Sequence, residues 1–417
     1  MNYNKQEYSK EFYLLEKSAN QGNAEAQFNL GVMYYNGQGV EKDLEKAIYW
    51  YEKSANQGDA EAQYKLGLMY YKGDGVIQDF KKAFEWWKKS ANQGNAEAQY
   101  NLGLMYANGQ GVKKNLKKAI YWYEKSANQG NAEAQCKLGL MYANGQGVKK
   151  KLKNALYWYE KSANQGDADA QANLGIMYYK GDGVIQDFKK AFELYEKSAN
   201  QGHAEAQFKL GIMYQEGQGV EKDLEKAFEL CEKSANQGHA EAQCNLGVMY
   251  YNGQGVKQDY AKALYWWEKS ANQGDAEAQA NLGVMYYRGL GVTQDFKKAF
   301  ELYEKSANQG NAEAQFKLGL MYENGKGIKQ DYAKAIYWYE KSAKQGHTEA
   351  QFNLGHVYDV KQDYAKAIYW YEKSANQGYA EAQFNLGHVY DVKQDYAKAM
   401  YWYENPLIKE RKRLNAS

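Results

Sequence analysis

Serine, histidine, cysteine and paired glycines are the residues of this 417-residue chain whose types could carry chemistry, and nearly all of them fall into slots that recur. Serine is almost confined to Lys-Ser-Ala (Ser18, Ser54, Ser90 and their equivalents), with Ser9 and Ser417 outside it. A nucleophilic serine needs a base and an oxyanion site around it. Neither Ser-x-x-Lys nor Gly-x-Ser-x-Gly occurs, so this serine reads as a small packing residue. His203, His239 and His347 share one slot, and His356 and His388 share another. Equivalent positions in stacked helix pairs lie on the order of 10 Å apart, whereas zinc holds its ligands at about 2 Å. No metal site is expected from them. Cys136 and Cys244 alternate in one slot with Phe28, Tyr64, Tyr100, Ala172, Phe208, Ala280 and Phe316, which reads as apolar filling. Cys231 lies on a different helix face, and no repeat holds a cysteine pair, so no disulfide framework is expected. The Gly37-Gln38-Gly39 type of loop follows a helix and lacks the lysine and third glycine of a phosphate cradle. The expectation is no catalytic residue, no cofactor and no enzyme.

The slots recur because the chain is periodic. A Leu-Gly pair places its glycine at Gly31, Gly67, Gly103 and onward to Gly355 in steps of 36 residues, with one step of 32 to Gly387. Such a period marks an array whose units bury their apolar faces by stacking on neighbours. The repeats therefore read as one domain, residues 23–404, preceded by a half-repeat over 1–22 and followed by a short basic tail over 405–417. Stacked units touch only their neighbours, so an elongated body is expected.

Within one repeat the signals are those of two helices. Asn23 is placed to cap the first, Glu25 to complement its positive end, and Gly37 to stop it in a left-handed conformation. Asp43 opens the second helix and recurs as Asp or Asn in every repeat but one, where Lys151 stands. Leu30, Tyr34, Ile48 and Tyr51 are the predicted filling; Gly31, Ala47, Ser54 and Ala55 are predicted to let helix backbones approach. The last two turns, Tyr358 to Tyr364 and Tyr390 to Tyr396, lack the Asn-Gly-x-Gly loop, and their helix pairs should survive without it. At the start, Glu11 replaces the tight Ala47 position, so that half-repeat reads as a cap or as the stump of a longer gene. At the end, Pro406 breaks the last helix, and Lys409-Glu410-Arg411-Lys412-Arg413 reads as a solvated tail.

Charge excludes one class of partner. The 53 basic and 51 acidic residues are interspersed, with a net charge of +2 and no basic stripe for nucleic acid. No apolar run is long enough for a membrane span or a secretory signal. Together with the cysteine usage this gives a cytoplasmic expectation, with export by a route lacking such a signal left open.

The pattern Ala-Glu-Ala-Gln-x-x-Leu-Gly-x-Met-Tyr-x-x-Gly-x-Gly-Val, then Asp-x-x-Lys-Ala-x-x-Trp-Tyr-x-Lys-Ser-Ala-x-Gln-Gly, resembles the Sel-one-like repeat family of tetratricopeptide-like proteins. It runs over about residues 7–404. The resemblance implies an all-α, right-handed α-solenoid whose first helices line a concave groove, and a role as adaptor or scaffold for protein complexes. Some bacterial relatives carry disulfides and signal peptides, and neither is seen here. Two other readings stay open: a bacterial effector or regulator acting on a host or envelope protein, and a hydrolase of the β-lactamase-like kind linked to some relatives, which no residue here supports.

On the first helix, Glu25, Phe28, Val32 and Tyr35 form a stripe separate from Gln27, Leu30, Gly31 and Tyr34. By the resemblance it faces the groove. Its candidate ligand-binding residues are Phe28, Tyr64, Tyr100, Phe208, Phe316, Phe352 and Phe384 in one slot, Tyr35, Tyr71 and Tyr251 at the outer end, and His356 and His388. Groove aromatics are common anchors of a protein or peptide partner, but such rings also pack sideways on the next repeat. A longer period is superimposed: Tyr71 to Phe80 reappears at Tyr179 to Phe188, and in related form at Tyr287 to Phe296, in steps of 108 residues.

Overall fold

The computed structural model describes residues 12–404, and every regular element among them is an α-helix. Eleven first helices run from Ala24–Asn36 to Ala380–Val392. Twelve second helices begin with the helical residues 12–20 and end with Tyr396–Tyr403. Glu11, Pro406 and the 405–417 tail lie outside the described residues, so the readings of a cap and of a solvated tail are carried no further. The helices form two compact units, Met1–Ala206 with Gln218–Val220, and Gln207–Gly217 with Glu221–Ser417. Inside each unit a first helix packs on the second helix that follows it and on the one that precedes it.

The predicted caps are in place. Asn23 Oδ1 accepts from the Ala26 amide at 2.8 Å, and Asp43 Oδ1 from the Lys46 amide at 2.9 Å, each satisfying a donor the helix cannot reach. His239 and His347 do the same through Nδ1, at 3.2 and 3.3 Å. Lys151 supplies no side-chain cap. Gly37 and Gly39 both take left-handed backbone, φ 70° and 71°. The second loop glycine has a further reason: a Cβ on Gly75 would stand 2.6 Å from Leu44 Cβ of the preceding repeat. In the two shortened turns Gln362 and Gln394 adopt φ 58° and 63° instead, and the helix pairs persist.

Leu30, Ala47, Tyr51, Ser54 and Ala55 are buried, as the spacing predicts. The small residue on the first helix serves a different end from the one expected. A Cβ on Gly31 would lie 2.6 Å from the Tyr51 ring, so the glycine makes room for that ring. The same fit recurs at Gly283 with Tyr303. A buried polar seam runs beside it. Gln63 Nε2 donates to the Ala55 carbonyl at 3.0 Å, and Gln63 Oε1 accepts from Gln93 Nε2 at 2.8 Å. Ser90 Oγ adds a bond to the Ala60 carbonyl at 2.7 Å. The serine is buried as a packing residue, as expected, and at Ser90 it is also a hydrogen-bond donor across the helix contact.

Candidate functional site

With Leu30, Gly31 and Met33 turned into the core, a first helix is left with a partly covered stripe: Glu25, which is exposed, and the half-buried Phe28, Asn29, Val32 and Tyr35. The helical period alone puts these residues on one side. In later repeats Leu30 and Gly31 keep their residue types and Met33 gives way to Val357 and Val389, while Phe28 is replaced by Tyr, Cys or Ala and Tyr35 by Ala, Gln, Glu or Asp.

The structure places the slot of Phe28 against the second helix of its own repeat. Ring centroids lie 5.8 Å apart for Phe28 and Tyr51, 5.9 Å for Tyr100 and Tyr123, and 5.8 Å for Phe352 and Tyr371. The residue capping the next first helix then decides how much of the ring is covered. Phe316 stacks on His347 at 4.7 Å, Phe208 meets His239 at 5.3 Å, and both phenylalanines are 7% exposed. Those two rings are buried, which is the sideways packing on the next repeat that the sequence also allows. Phe28, Tyr64, Tyr100 and Phe352 remain half-buried, and Phe384 is 46% exposed. Burial and the neighbouring acids, Glu133 beside Tyr100 and Glu97 beside Tyr64, push these phenols above their ordinary range. They are neutral hydrogen-bonding groups at physiological pH, not nucleophiles.

At the outer end of the stripe the tyrosines reach forward into the next loop. Tyr35 Oη donates to Asp74 Oδ2 at 3.4 Å, and Tyr71 Oη to Gln110 Oε1 at 3.2 Å. Tyr71 also packs on Phe80 and Trp87, at 5.3 and 5.2 Å, and Tyr251 on Tyr260 and Trp267, at 5.3 and 5.5 Å. His356 and His388 are exposed on their helices.

The stripe also bears hollows. One is lined by Val284, Tyr287, Arg288, Tyr303, Lys317 and Leu320, with a volume of about 110 Å³. Another, of about 430 Å³, includes Leu104, Ala107, Tyr123, Lys137 and Leu140. A third, of about 360 Å³, is bordered by Tyr100, Glu133, Cys136, Lys137, Asp167 and Asp169. Sequence reasoning found the stripe but not the hollows, whose depth depends on which neighbouring ring is missing.

A second exposed set escaped it altogether. Tyr49, Tyr121, Tyr157, Tyr265, Tyr337 and Tyr369 stand about half exposed on the second helices. Each is crossed by a lysine one turn later, as Lys161 Nζ lies 4.7 Å from the Tyr157 ring centre. The recurring Tyr-Trp pair with lysine four residues after the tyrosine was the available signal.

The thiols stay closed to chemistry. Cys136, Cys231 and Cys244 are buried and unpaired to one another. Burial pushes Cys231 up to about 11, and burial with nearby carboxylates raises Cys136 and Cys244. Among the described residues no group of His, Cys, Asp and Glu is arranged to hold a metal ion, and no helix is long and apolar enough to cross a membrane.

The Sel1 repeat model matches twelve consecutive segments, from residues 12–23 and 24–59 through 348–379 and 380–405. Among solved structures, a protective antigen present in uropathogenic Escherichia coli strains, described as displaying an SLR fold, is 36% identical with a TM-score of 0.82. That match covers 97% of this chain and 90% of the antigen. A Sel1 repeat protein from Oxalobacter formigenes is 37% identical with a TM-score of 0.55, over 73% of this chain and 88% of its own. No curated protein matches the sequence. With its repeats matched over nearly all of the described helices, this chain belongs to the Sel1 repeat family.

Proposed function

We propose that this chain is a scaffold that holds a peptide segment or helix of a partner protein along the partly covered stripe of its first helices. Sel1 repeat proteins generally mediate protein–protein interaction and are typically non-enzymatic. The observation that carries the finer reading is a contrast within the repeat. Buried positions such as Leu30, Gly31 and Gln27 keep one residue type from repeat to repeat, while the stripe positions of Phe28 and Tyr35 vary between rings and small residues. Some core positions vary as well, as Tyr51, Trp87 and Cys231 do in one buried slot, but recognition of an irregular partner needs difference along the face. The three hollows of this stripe give such a partner places to insert side chains. Aromatic side chains half-covered by protein lose little freedom on binding and offer large contact area.

The test is capture of protein partners by the whole chain, wild type and with Tyr64, Tyr71, Phe352 and Phe384 replaced by alanine, alongside circular dichroism of each. Loss of the captured protein with helical content retained is expected. Undiminished capture by the folded variant would refute the reading.

A further inference from the structure

Two of the hollows on the first-helix stripe occupy the same place five repeats apart, and the tyrosine that fills one is an alanine in the other. The six residues lining the hollow at Tyr287 have their counterparts, from Leu104 and Ala107 to Leu140, all lining the hollow in the other unit. The volume is about 110 Å³ at Tyr287 and about 430 Å³ at Ala107, where the hollow also reaches Lys114, Leu116, Met141 and Gln146.

Where a tyrosine is present, the same positions of its repeat and of the following loop meet it, with differing residue types. The Tyr71 ring rests on Phe80 and Trp87, and its hydroxyl meets Gln110 in the following loop at 3.2 Å. Tyr287 rests on Phe296 at 5.1 Å and its hydroxyl accepts from Lys326 Nζ, the same loop position, at 3.2 Å. Ala107 brings no ring and no hydroxyl, yet the counterparts of all three neighbours remain. Leu116 stands for Phe80, Tyr123 for Trp87 and Gln146 for Gln110, and each lines the empty hollow. The hollow is bounded by the positions that meet a tyrosine ring and hydroxyl in the repeats of Tyr71 and Tyr287. Its rim is basic: Lys114 and Lys137 line it, and Lys113, Lys149 and Lys150 are exposed on the adjacent loops. Position 113 is glutamate in other repeats, at Glu41 and Glu221.

We propose that this hollow takes a tyrosine of an acidic segment in the partner protein, its ring between Leu116 and Tyr123 and its hydroxyl at the Gln146 amide. The proposal rests on the reading that the first-helix stripe binds protein, and it names the chemistry of the bound segment. The lysines attract flanking carboxylates and disfavour a basic segment.

The probe is a fluorescein-labelled peptide, Glu-Glu-Tyr-Glu-Glu, titrated by anisotropy against the full chain. Saturable binding is expected, weakened several-fold when phenylalanine replaces the tyrosine and at least tenfold when alanine replaces it or lysines replace the glutamates. Ala107→Tyr, which restores the side chain other repeats carry, should lower affinity at least tenfold while helical content is kept. Gln146→Leu should remove the preference for tyrosine over phenylalanine and leave the phenylalanine peptide unaffected. Equal binding of the tyrosine and alanine peptides, absence of saturable binding, or unchanged affinity in Ala107→Tyr would overturn the proposal. If the Tyr64, Tyr71, Phe352 and Phe384 variant loses its captured partner while the peptide fails these tests, the pocket assignment alone falls. If capture also survives in that variant, the reading of the stripe falls with it.

Discussion

Gln57 Nε2 donates to Gln27 Oε1 at 2.7 Å, and Gln27 Nε2 in turn reaches the Ala19 carbonyl at 2.9 Å, so one buried amide ties together three successive helices. The arrangement recurs through both units, with Gln99 bonded to the Ala91 carbonyl and to Gln129 at 3.0 and 2.7 Å. Replacing Gln99 by leucine removes both bonds, leaving the Ala91 carbonyl its backbone partner Gly94 and the exposed Gln129 amide to solvent. We expect a loss of about 1 kcal/mol for each of the two bonds, the usual net worth of an intramolecular hydrogen bond. Urea unfolding of Gln99→Leu checks it; an unchanged midpoint would mean the seam contributes nothing.

The fit between glycine and ring can be graded within the chain itself. A Cβ at Gly283 would come within 2.6 Å of Tyr303, whereas at Gly211 it would meet the smaller Cys231 Sγ at 3.0 Å. Gly283→Ala should therefore cost about 1–3 kcal/mol by overpacking. Gly211→Ala should cost less, because its Cβ meets Cys231 Sγ at 3.0 Å and the Ala227 carbonyl at 3.2 Å rather than a ring at 2.6 Å; the roughly 0.5–1 kcal/mol of helix preference that alanine recovers is common to both sites. Thermal melts showing equal losses would contradict the ring-accommodating role.

The two faces of the aromatic slot should also separate. Phe316 is buried beneath His347, so Phe316→Ala is expected to cost about 3–5 kcal/mol. Phe384, 46% exposed, keeps much of its surface in water, and Phe384→Ala should fall well below that. Similar melting temperatures for the two variants would mean that the observed difference in burial does not govern stability.

Much of this fold is legible in the sequence because its signals are local and repeat. The caps at Asn23 and Asp43, the stop at Gly37 and the exception at Lys151 depend on neighbours a few residues away. The role of Gly31 was less so: small residues suggest close backbones, and a ring entering from Tyr51 is visible only once the helices are packed. Burial of Phe316 but not Phe384 depends on His347, which covers the first ring from the next repeat. The hollow at Ala107 was hidden for a related reason. The alternation of tyrosine with alanine could be read from the sequence, but not that a tyrosine hydroxyl there meets a loop residue of the following repeat. The shortened turns placed Gln362 in left-handed backbone without any glycine to announce it.

Acid should weaken one contact in a predictable direction. Glu313 accepts from His347 Nε2 at 2.8 Å and pairs with Lys317 Nζ at 2.9 Å. The His347 bond, with Lys317 adding to it against the opposing effect of burial, holds Glu313 down to about 2. A carboxylate depressed in the folded state lends stability that is full above its unfolded value, about 4.3, and is lost as pH falls towards 2. Glu313→Gln should therefore flatten the fall in urea midpoint between pH 5 and pH 2.5, in which window the wild type declines. Parallel pH profiles would rule this contact out.

The central claim, that partners are held by the first-helix stripe, is tested most directly by placing the photo-crosslinker p-benzoylphenylalanine at single sites of the full chain. Tyr71 and Leu104 sample the stripe, whereas Tyr121 and Tyr157 sample the exposed side of the second helices. Illumination in the presence of captured partner should give a crosslinked product from Tyr71 and Leu104 and none from Tyr121 and Tyr157. Crosslinks confined to Tyr121 and Tyr157 would contradict the account and move the binding surface to the other face of the repeat.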